Sequence, residues 1–491
     1  MSEKTEALYE IVGEERVDGS PEALERYASD GSFAKPLSPA AIVKVNDADE
    51  VKKIVEWANK TGTPLIPVSS EGPHFRGDTV PCEPNTVIVD MSGMKKIELN
   101  RVHRLAYVEP GVTYGELQTA LAKEGMRLST ALAPRKSKSV IGSVLEIEPR
   151  LNPHTQWNYA EPLRCLEVVW GDGNRMFTGS AGNGPATLEK QRENDSWQHF
   201  AYGPGQVDFY RFLTQSQGSM GIVTWASLRC EVLPQIHELS FVPAKNADDL
   251  IDFVYRVLKL RFADEFFVLN APYLAALLGE TPERINELKT MLPTWTALVA
   301  VAGRAILPEE RVSAQTQDIA DIAGQCGLEF LPGIPGGNGP DVLKTILGPS
   351  EEPYFKQRAK GAFQDIFFVT TLDKTPEYIA AVNALAETAG ISPDDIGVYI
   401  QPQHAGTSVH LEFSIPYDPA DTKETTMVRE FYINASQKLC DMGAFFARPY
   451  DIWSNIQLEK DAQAANTIKK IKAIFDPNGI MNPGKLIDSQ M

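Results

Sequence analysis

The stretch Ser69-Ser-Glu-Gly-Pro-His-Phe-Arg-Gly-Asp-Thr79 places small hydroxyl residues, two glycines, a histidine and an arginine directly after an apolar run ending at Val68. Such a loop can turn successive N–H groups toward one point and form a nest for a pyrophosphate, with Arg76 adding a fixed charge. It lacks Gly-x-Gly-x-x-Gly and no helical pattern follows it, so it is neither a Rossmann fingerprint nor a P-loop. A second run, Gln215-Ser-Gln-Gly-Ser-Met-Gly-Ile-Val-Thr224, is rich enough in small residues to bring main-chain N–H and C=O groups against a ligand. Farther on, between Gln401 and Ile415, one set of side chains (Gln403, Ala405, Thr407, Val409, Leu411, Phe413, Ile415) alternates with another that contains His410 and Glu412. Two residues apart on a strand, His410 and Glu412 share a face and can line a cavity, where a buried imidazole stays neutral.

Positioning these residues requires short elements in α+β order. Strands are expected at 41–45, 64–68, 86–90, 96–99 and 105–108, with helices at 47–59 and 114–124. The first helix is capped by Asp47 or Asp49, carries its apolar stripe on Ile54, Val55 and Ala58, and stops at Gly62. Gly171-Asp-Gly173 supplies a hairpin turn within Cys165–Phe177, and residues 179–208 read as a long surface excursion or lid. After Pro234 the texture changes to amphipathic stretches at 248–260 and 375–389, alternating with strands at 297–301, 365–369 and 409–415. A boundary is therefore expected near 235. The Pro/Gly-rich 331–340 reads as a loop, and a helix over 458–474 runs into the tight-turn sequence Asp476-Pro-Asn-Gly479.

A length of 491 residues implies two or three domains and room to enclose a large ligand. The formal charge of −18 and the absence of a basic stripe argue against nucleic acid, and no apolar run is long enough to span a bilayer. The polar N-terminus lacks a signal core, so the cytoplasm is the expected compartment. Cys82, Cys165, Cys230, Cys326 and Cys440 are scattered, and neither a disulfide framework nor a metal site is expected.

Several segments, in order, resemble the vanillyl-alcohol oxidase and p-cresol methylhydroxylase family of FAD-linked oxidoreductases. These are the loop after Val68; Val108-Glu-Pro-Gly-Val-Thr-Tyr-Gly-Glu-Leu117; Ser139-Val-Ile-Gly-Ser143; the run from Gln215; and Gly479 with Asn482-Pro-Gly-Lys485. The matches cover about 35–235 and 440–486. The resemblance implies an α+β fold: a two-part FAD-binding domain of the p-cresol methylhydroxylase type, formed by 1–235 and completed by 444–491, and an α/β substrate cap over 236–443. It implies FAD bound by Ser69, Ser70, Gly72, His74, Arg76, Gly77, Asp78, Pro110, Gly111, Ile141, Gly142, Ser143, Gly218, Gly221, Ile222, Val223, His410, Asn482 and Lys485. His410 stands where the family has a histidine that can bond covalently to the flavin, and His74 is a lesser candidate for such a link. Arg448 matches the position that holds a substrate phenolate; Ala447 precedes it in place of the family's tyrosine, although Tyr450 follows two positions on. The family's Ile-Gly-Gly-Asn is here Ile141-Gly-Ser-Val144, followed by the unusual Glu146-Ile-Glu-Pro-Arg-Leu-Asn-Pro-His-Thr-Gln-Trp-Asn-Tyr159, so the group that tunes the flavin has no motif to identify it.

The expected function is hydride transfer from a small phenolic or benzylic alcohol to the flavin, with Arg448, Tyr450 and His410 as catalytic candidates. The alternatives are a 2-hydroxy-acid dehydrogenase of the same fold, because a guanidinium also binds carboxylate, and a non-catalytic electron-relay subunit. Beyond a small-molecule substrate and an unidentified electron acceptor, self-association into a homo-oligomer is left open.

Overall fold

The computed structural model describes residues 3–154, 161–182, 188–205 and 207–487. Parts of the 179–208 excursion and of the segment after Glu146 therefore lie outside the described residues.

Three sheets carry the chain. The first has the order Val17–Asp18, Ala41–Lys44, Val87–Asp90, Leu65–Val68, and its last three strands are parallel. The second is antiparallel: Ile97–Asn100, Leu105–Val108, Gly221–Arg229, Leu163–Trp170 and Arg175–Phe177. Helix Ala48–Thr61 is the layer between them. The Asp47 side chain accepts from the Glu50 N–H at 2.8 Å, Gly62 closes the helix at φ 62°, and Val51, Ile54, Val55 and Ala58 are buried against residues of both sheets, including Val169 and Ile222. The hairpin at Gly171-Asp-Gly173 forms as its composition requires.

The third sheet is six-stranded and antiparallel, in the order Ile236–Ala244, Trp295–Gly303, Glu265–Asn270, Gly397–Gln403, Ser408–Tyr417, Ala362–Thr370. Its outer face packs on Asp248–Leu260, Pro308–Gln325, Thr375–Ala389 and Thr422–Asp441 through Phe253, Val312, Val382, Leu411, Phe413 and Phe431. Its inner face turns toward the first two sheets.

Three readings of local structure are corrected. The alternation from Gln401 to Ile415 is a hairpin and not one strand: His404, Ala405 and Gly406 all take positive φ and reverse the chain. Residues 331–340 contain a small hairpin, Gly333–Ile334 with Gly337–Asn338. The expected helix at 458–474 begins later, as Ala462–Phe475, behind the separate helix Ile452–Leu458, because the Asp461 carboxylate accepts from the Ala464 N–H at 2.9 Å and caps its start.

The tail then returns to the first sheet. Leu65 N–H donates to the Ile480 carbonyl and Asn482 N–H to the Leu65 carbonyl, both at 2.8 Å. Asp476 accepts from the N–H groups of Ile480 (2.9 Å) and Met481 (3.0 Å) and pairs with Lys472 at 2.7 Å, so Asp476-Pro-Asn-Gly479 is an anchor as well as a helix stop.

Candidate active site

Val68 ends its strand at the edge of a cleft holding about 1390 Å³ of non-protein space, part of it open to solvent, between the first two sheets and the inner face of the third. Ser69, Ser70, His74, Arg76 and Asp78 line it from one loop; Pro110, Ile141 and Gly142 from a second region; and Gly218, Gly221 and Val223 from a third. Tyr450 closes the end beneath the third sheet. Close backbone approach explains the small residues. Gly218 has φ 70°, and a Cβ there would sit 2.5 Å from Pro67 Cγ; at Gly142 it would sit 3.1 Å from Ser69 Oγ. Gln215 and Gln217 also take positive φ (60° and 54°), and Asn482 Nδ2 locks that bend by donating to the carbonyls of Gln217 (2.7 Å) and Asp78 (2.9 Å).

Other expected residues support this wall. Gly77 N–H donates to Asp30 at 2.7 Å, Lys485 lies near enough to draw Asp78 downward electrostatically, and Ile222 is buried in the core. Gly72 and Gly111 occupy the turns beside the lining, Gly111 packed against the carbonyls of Ser92, Met91 and Met94. Among these expected residues, buried Nε2 of His74 and Oδ1 of Asn482 have no partner, as a site built to hold a polar ligand would leave them.

The inner face of the third sheet supplies a buried ionic cluster. Phe363, Asp365 and Phe367 alternate on one strand, and His410 and Glu412 stand on its neighbour, Glu412 directly opposite Phe367. Lys356 Nζ donates to Asp365 at 2.8 Å and to Glu412 at 2.5 Å; Tyr273 OH donates to Glu412 at 2.8 Å; Arg76 reaches across from the glycine-bearing loop to Asp365 at 3.2 Å. His410 Nε2 lies 3.3 Å from the second Glu412 oxygen and its Nδ1 3.5 Å from Arg448 Nη2. A neutral imidazole satisfies both contacts, donating to the carboxylate and accepting from the guanidinium. Arg448 lies 3.9 Å and Arg76 4.6 Å from the Phe367 ring centroid.

Three cations (Arg76, Lys356, Arg448) thus face two carboxylates. Arg448 is the unmatched one: it is buried, with no carboxylate within 4.0 Å among the described residues. Burial, reinforced by Arg76, lowers its pKa from the ordinary value. Burial pushes His410 down to about 4, with the Glu412 hydrogen bond opposing. Glu412 goes the other way: burial favours its neutral form, but Lys356 and His410 hold it well below the usual carboxylate range. Tyr450 and Tyr354, desolvated and beside carboxylates, are pushed well above the ordinary phenol value and remain protonated.

The segment without a motif is ordered by its own network. Lys138 Nζ bridges Glu146 (3.1 Å) and Glu148 (2.8 Å), Ser143 Oγ donates to Glu148 at 2.5 Å, and Tyr114 OH lies 2.7 Å from Ser143 Oγ while accepting from Arg150 at 2.9 Å. Glu146, Glu148 and Lys138 line the cleft, whereas Ser143 stands behind them. Burial and the neighbouring Glu146 and Asp30 raise Asp78 to about 6.

Sequence reasoning passed over Lys138, Arg135, Tyr354, Lys356 and Phe363, which carry no motif signal of their own, and Asp365, which was read only as the start of a strand. A hint was available in Lys356, a cation shortly before a strand-like run that contains an inward carboxylate. Of the three catalytic candidates only Tyr450 lines the cleft; His410 and Arg448 do not, and His410 packs against Arg448 and Phe367 outside its lining.

A loop-and-glycine cradle across two sheets, closed by a third sheet with a buried charged face, defines an FAD-linked oxidoreductase. Residues 39–175 match the FAD binding domain family and residues 454–486 the family of FAD linked oxidases, C-terminal domain. The glycolate oxidase subunit GlcD of Bacillus subtilis (strain 168) is 21% identical over 502 residues, covering 98% of this chain and 96% of that protein. The D-lactate dehydrogenase of Archaeoglobus fulgidus is 22% identical over 457 residues, 91% of each. The solved structure of p-cresol methylhydroxylase with substrate bound superimposes with a TM-score of 0.83 at 17% identity, covering 99% of this chain and 97% of that one. The chain therefore has the p-cresol methylhydroxylase type of fold, binds FAD and is an enzyme. No helix among the described residues is long and apolar enough to cross a membrane.

Proposed function

We propose that the enzyme oxidises a small anionic substrate, with a phenolic or benzylic compound as the first choice. The observation that carries this reading is Arg448, a desolvated guanidinium with no carboxylate within 4.0 Å among the described residues, two positions before Tyr450, which lines the cleft. An always-charged group in that position stabilises a phenolate over the phenol, and an ionised ring oxygen assists hydride departure from the para carbon. Phe75, Phe363 and Tyr354 give the surrounding walls aromatic faces. Bound FAD supplies the hydride acceptor.

The protein residues then have separable tasks. Arg448 holds the anion, and His410, braced by Glu412, fixes the Arg448 guanidinium. Tyr450, kept protonated, is a hydrogen-bond donor at the reacting end. Ser69, Ser70, Gly142, Gly218 and Arg76 hold the cofactor. Of the two histidines considered for a flavin link, both nitrogens of His410 are engaged, whereas Nε2 of His74 is free and its ring lines the cleft; His74 is the histidine assigned to face the cofactor.

A 2-hydroxy acid is the second reading, favoured by the full-length similarity to a glycolate oxidase subunit and a D-lactate dehydrogenase. Anaerobic bleaching of the purified holoenzyme with p-cresol and 4-hydroxybenzyl alcohol, against glycolate and D-lactate, separates the two. Arg448→Ala is expected to weaken the productive substrate by about ten- to hundredfold. Unchanged turnover would remove Arg448 as the anchor.

A further inference from the structure

A second buried guanidinium, Arg135, stands in the cleft lining itself without a full partner. Arg135 is 6% exposed and lines the cleft, its Nη1 is buried with no hydrogen-bond partner, and it donates no hydrogen bond among the described residues. Its nearest carboxylate oxygen, Glu352 Oε1, is 3.7 Å away and already accepts from the Ser137 hydroxyl at 2.9 Å. The guanidinium otherwise rests over Phe75, 5.2 Å from the ring centroid. A charged donor buried with unused N–H groups is costly unless a ligand completes it.

The position of Arg135 is set by the cap. Ala133 N–H donates to the Ile346 carbonyl (2.9 Å), Lys136 N–H to the Ser350 carbonyl (2.8 Å) and Ser350 N–H to the Pro134 carbonyl (2.7 Å). Phe75 in turn packs 5.0 Å from Phe363, so Arg135 belongs to the end of the cap strand opposite Phe367 and Arg448. Phe363 and Phe367, four residues apart on that strand, are separated by about 14 Å at about 3.4 Å per residue. A ligand touching both guanidiniums is thus longer than a two- or three-carbon acid.

We propose that Arg135 is a second anion subsite and that the substrate is doubly anionic, with a phenolate or carboxylate at Arg448 and a carboxylate at Arg135. This rests on Arg448 being the anchor. Glu146 and Glu148 line the cleft and are near enough to act electrostatically on both guanidiniums, so they disfavour further anionic groups on the ligand beyond the two that the arginines take.

The test is equilibrium titration of the FAD-loaded protein, followed by perturbation of the flavin absorption band and by tryptophan fluorescence. The probe pairs are 4-hydroxyphenylacetate against p-cresol and glutarate against butyrate. The wild type is expected to bind the better doubly charged probe about tenfold or more tightly than its singly charged partner. Arg135→Gln is expected to erase that preference while p-cresol binding changes less than about twofold and the FAD-to-protein ratio is unchanged; Arg135→Lys restores part of it. Three results overturn the proposal: no preference in the wild type, equal weakening of both members of a pair by Arg135→Gln, or loss of FAD from that variant, which would make Arg135 a cofactor contact. Arg448→Ala distinguishes failure of the underlying reading: if it leaves singly charged probes unaffected while Arg135→Gln remains selective, the anchor assignment fails, and with it the two-ended substrate.

Discussion

Lys356→Met removes the cation that holds the cap cluster together while keeping most of the side chain's apolar volume. In the wild type, Nζ serves Asp365 at 2.8 Å and Glu412 at 2.5 Å, and all three side chains are nearly inaccessible. Breaking a buried pair by deleting one partner costs about 3–5 kcal/mol. Asp365 keeps Arg76 at 3.2 Å, while Glu412 keeps only the Tyr273 hydroxyl and the neutral His410, so the loss falls mainly on Glu412 and the lower figure, about 3 kcal/mol, applies. For a cooperative unit of about 200 residues, the size of the segment that carries the third sheet, that is a fall in Tm of about 6–12 °C by scanning calorimetry of the holoenzyme. The deficit should narrow as pH falls. Wild-type Glu412, with its pKa held low, contributes stability above the unfolded carboxyl value that is lost on acidification, whereas in the variant the unpaired buried carboxyl has a raised pKa and gains stability by taking up a proton. A fall of under about 2 °C, or a deficit independent of pH, would refute the assignment of this cluster as a charge network and leave Lys356 as packing.

Other outcomes are more quickly checked. Gly218→Ala should lower the FAD-to-protein ratio of the purified enzyme, because the left-handed backbone alone costs about 1–2 kcal/mol for alanine and the new Cβ meets Pro67 Cγ at 2.5 Å. Stability should rise with pH between about 4 and 6.5 through His410, neutral in the fold but protonated when unfolded in that window. Its full contribution is about 3 kcal/mol, complete above the unfolded value, and His410→Gln should flatten that part of a denaturation-versus-pH profile. Acid precipitation should leave the yellow colour in the supernatant for wild type and His410→Gln alike; a yellow pellet that persists in His410→Gln and disappears in His74→Ala would replace non-covalent binding with a link through His74.

Much of the framework was legible because short-range rules act on it directly. Asp47 and Gly62 mark one helix, Gly171-Asp-Gly173 turns a hairpin, and the period of the apolar residues gives Asp248–Leu260 and Thr375–Ala389. The His404–Gly406 reversal was not legible, since period-2 alternation continues unbroken through the turn. The start of the helix at Ala462 was placed a few residues early because a capping aspartate beside a helical pattern also reads as a surface residue.

By itself the sequence determined the small-residue runs of the cradle and the placing of His410 and Glu412 on one face, consequences of residue type and nearest-neighbour spacing, while the FAD-linked class came from the resemblance of several segments to a known family. Only the tertiary structure decided which charges remain unmatched. Arg76 is spoken for by Asp365 and Lys356 by two carboxylates, whereas Arg448 meets only the neutral His410 and Arg135 only Glu352 at 3.7 Å. Those pairings join residues up to 289 positions apart. Whether a buried charge has a partner depends on distances across the packed interface, and local spacing along the chain carries no record of them.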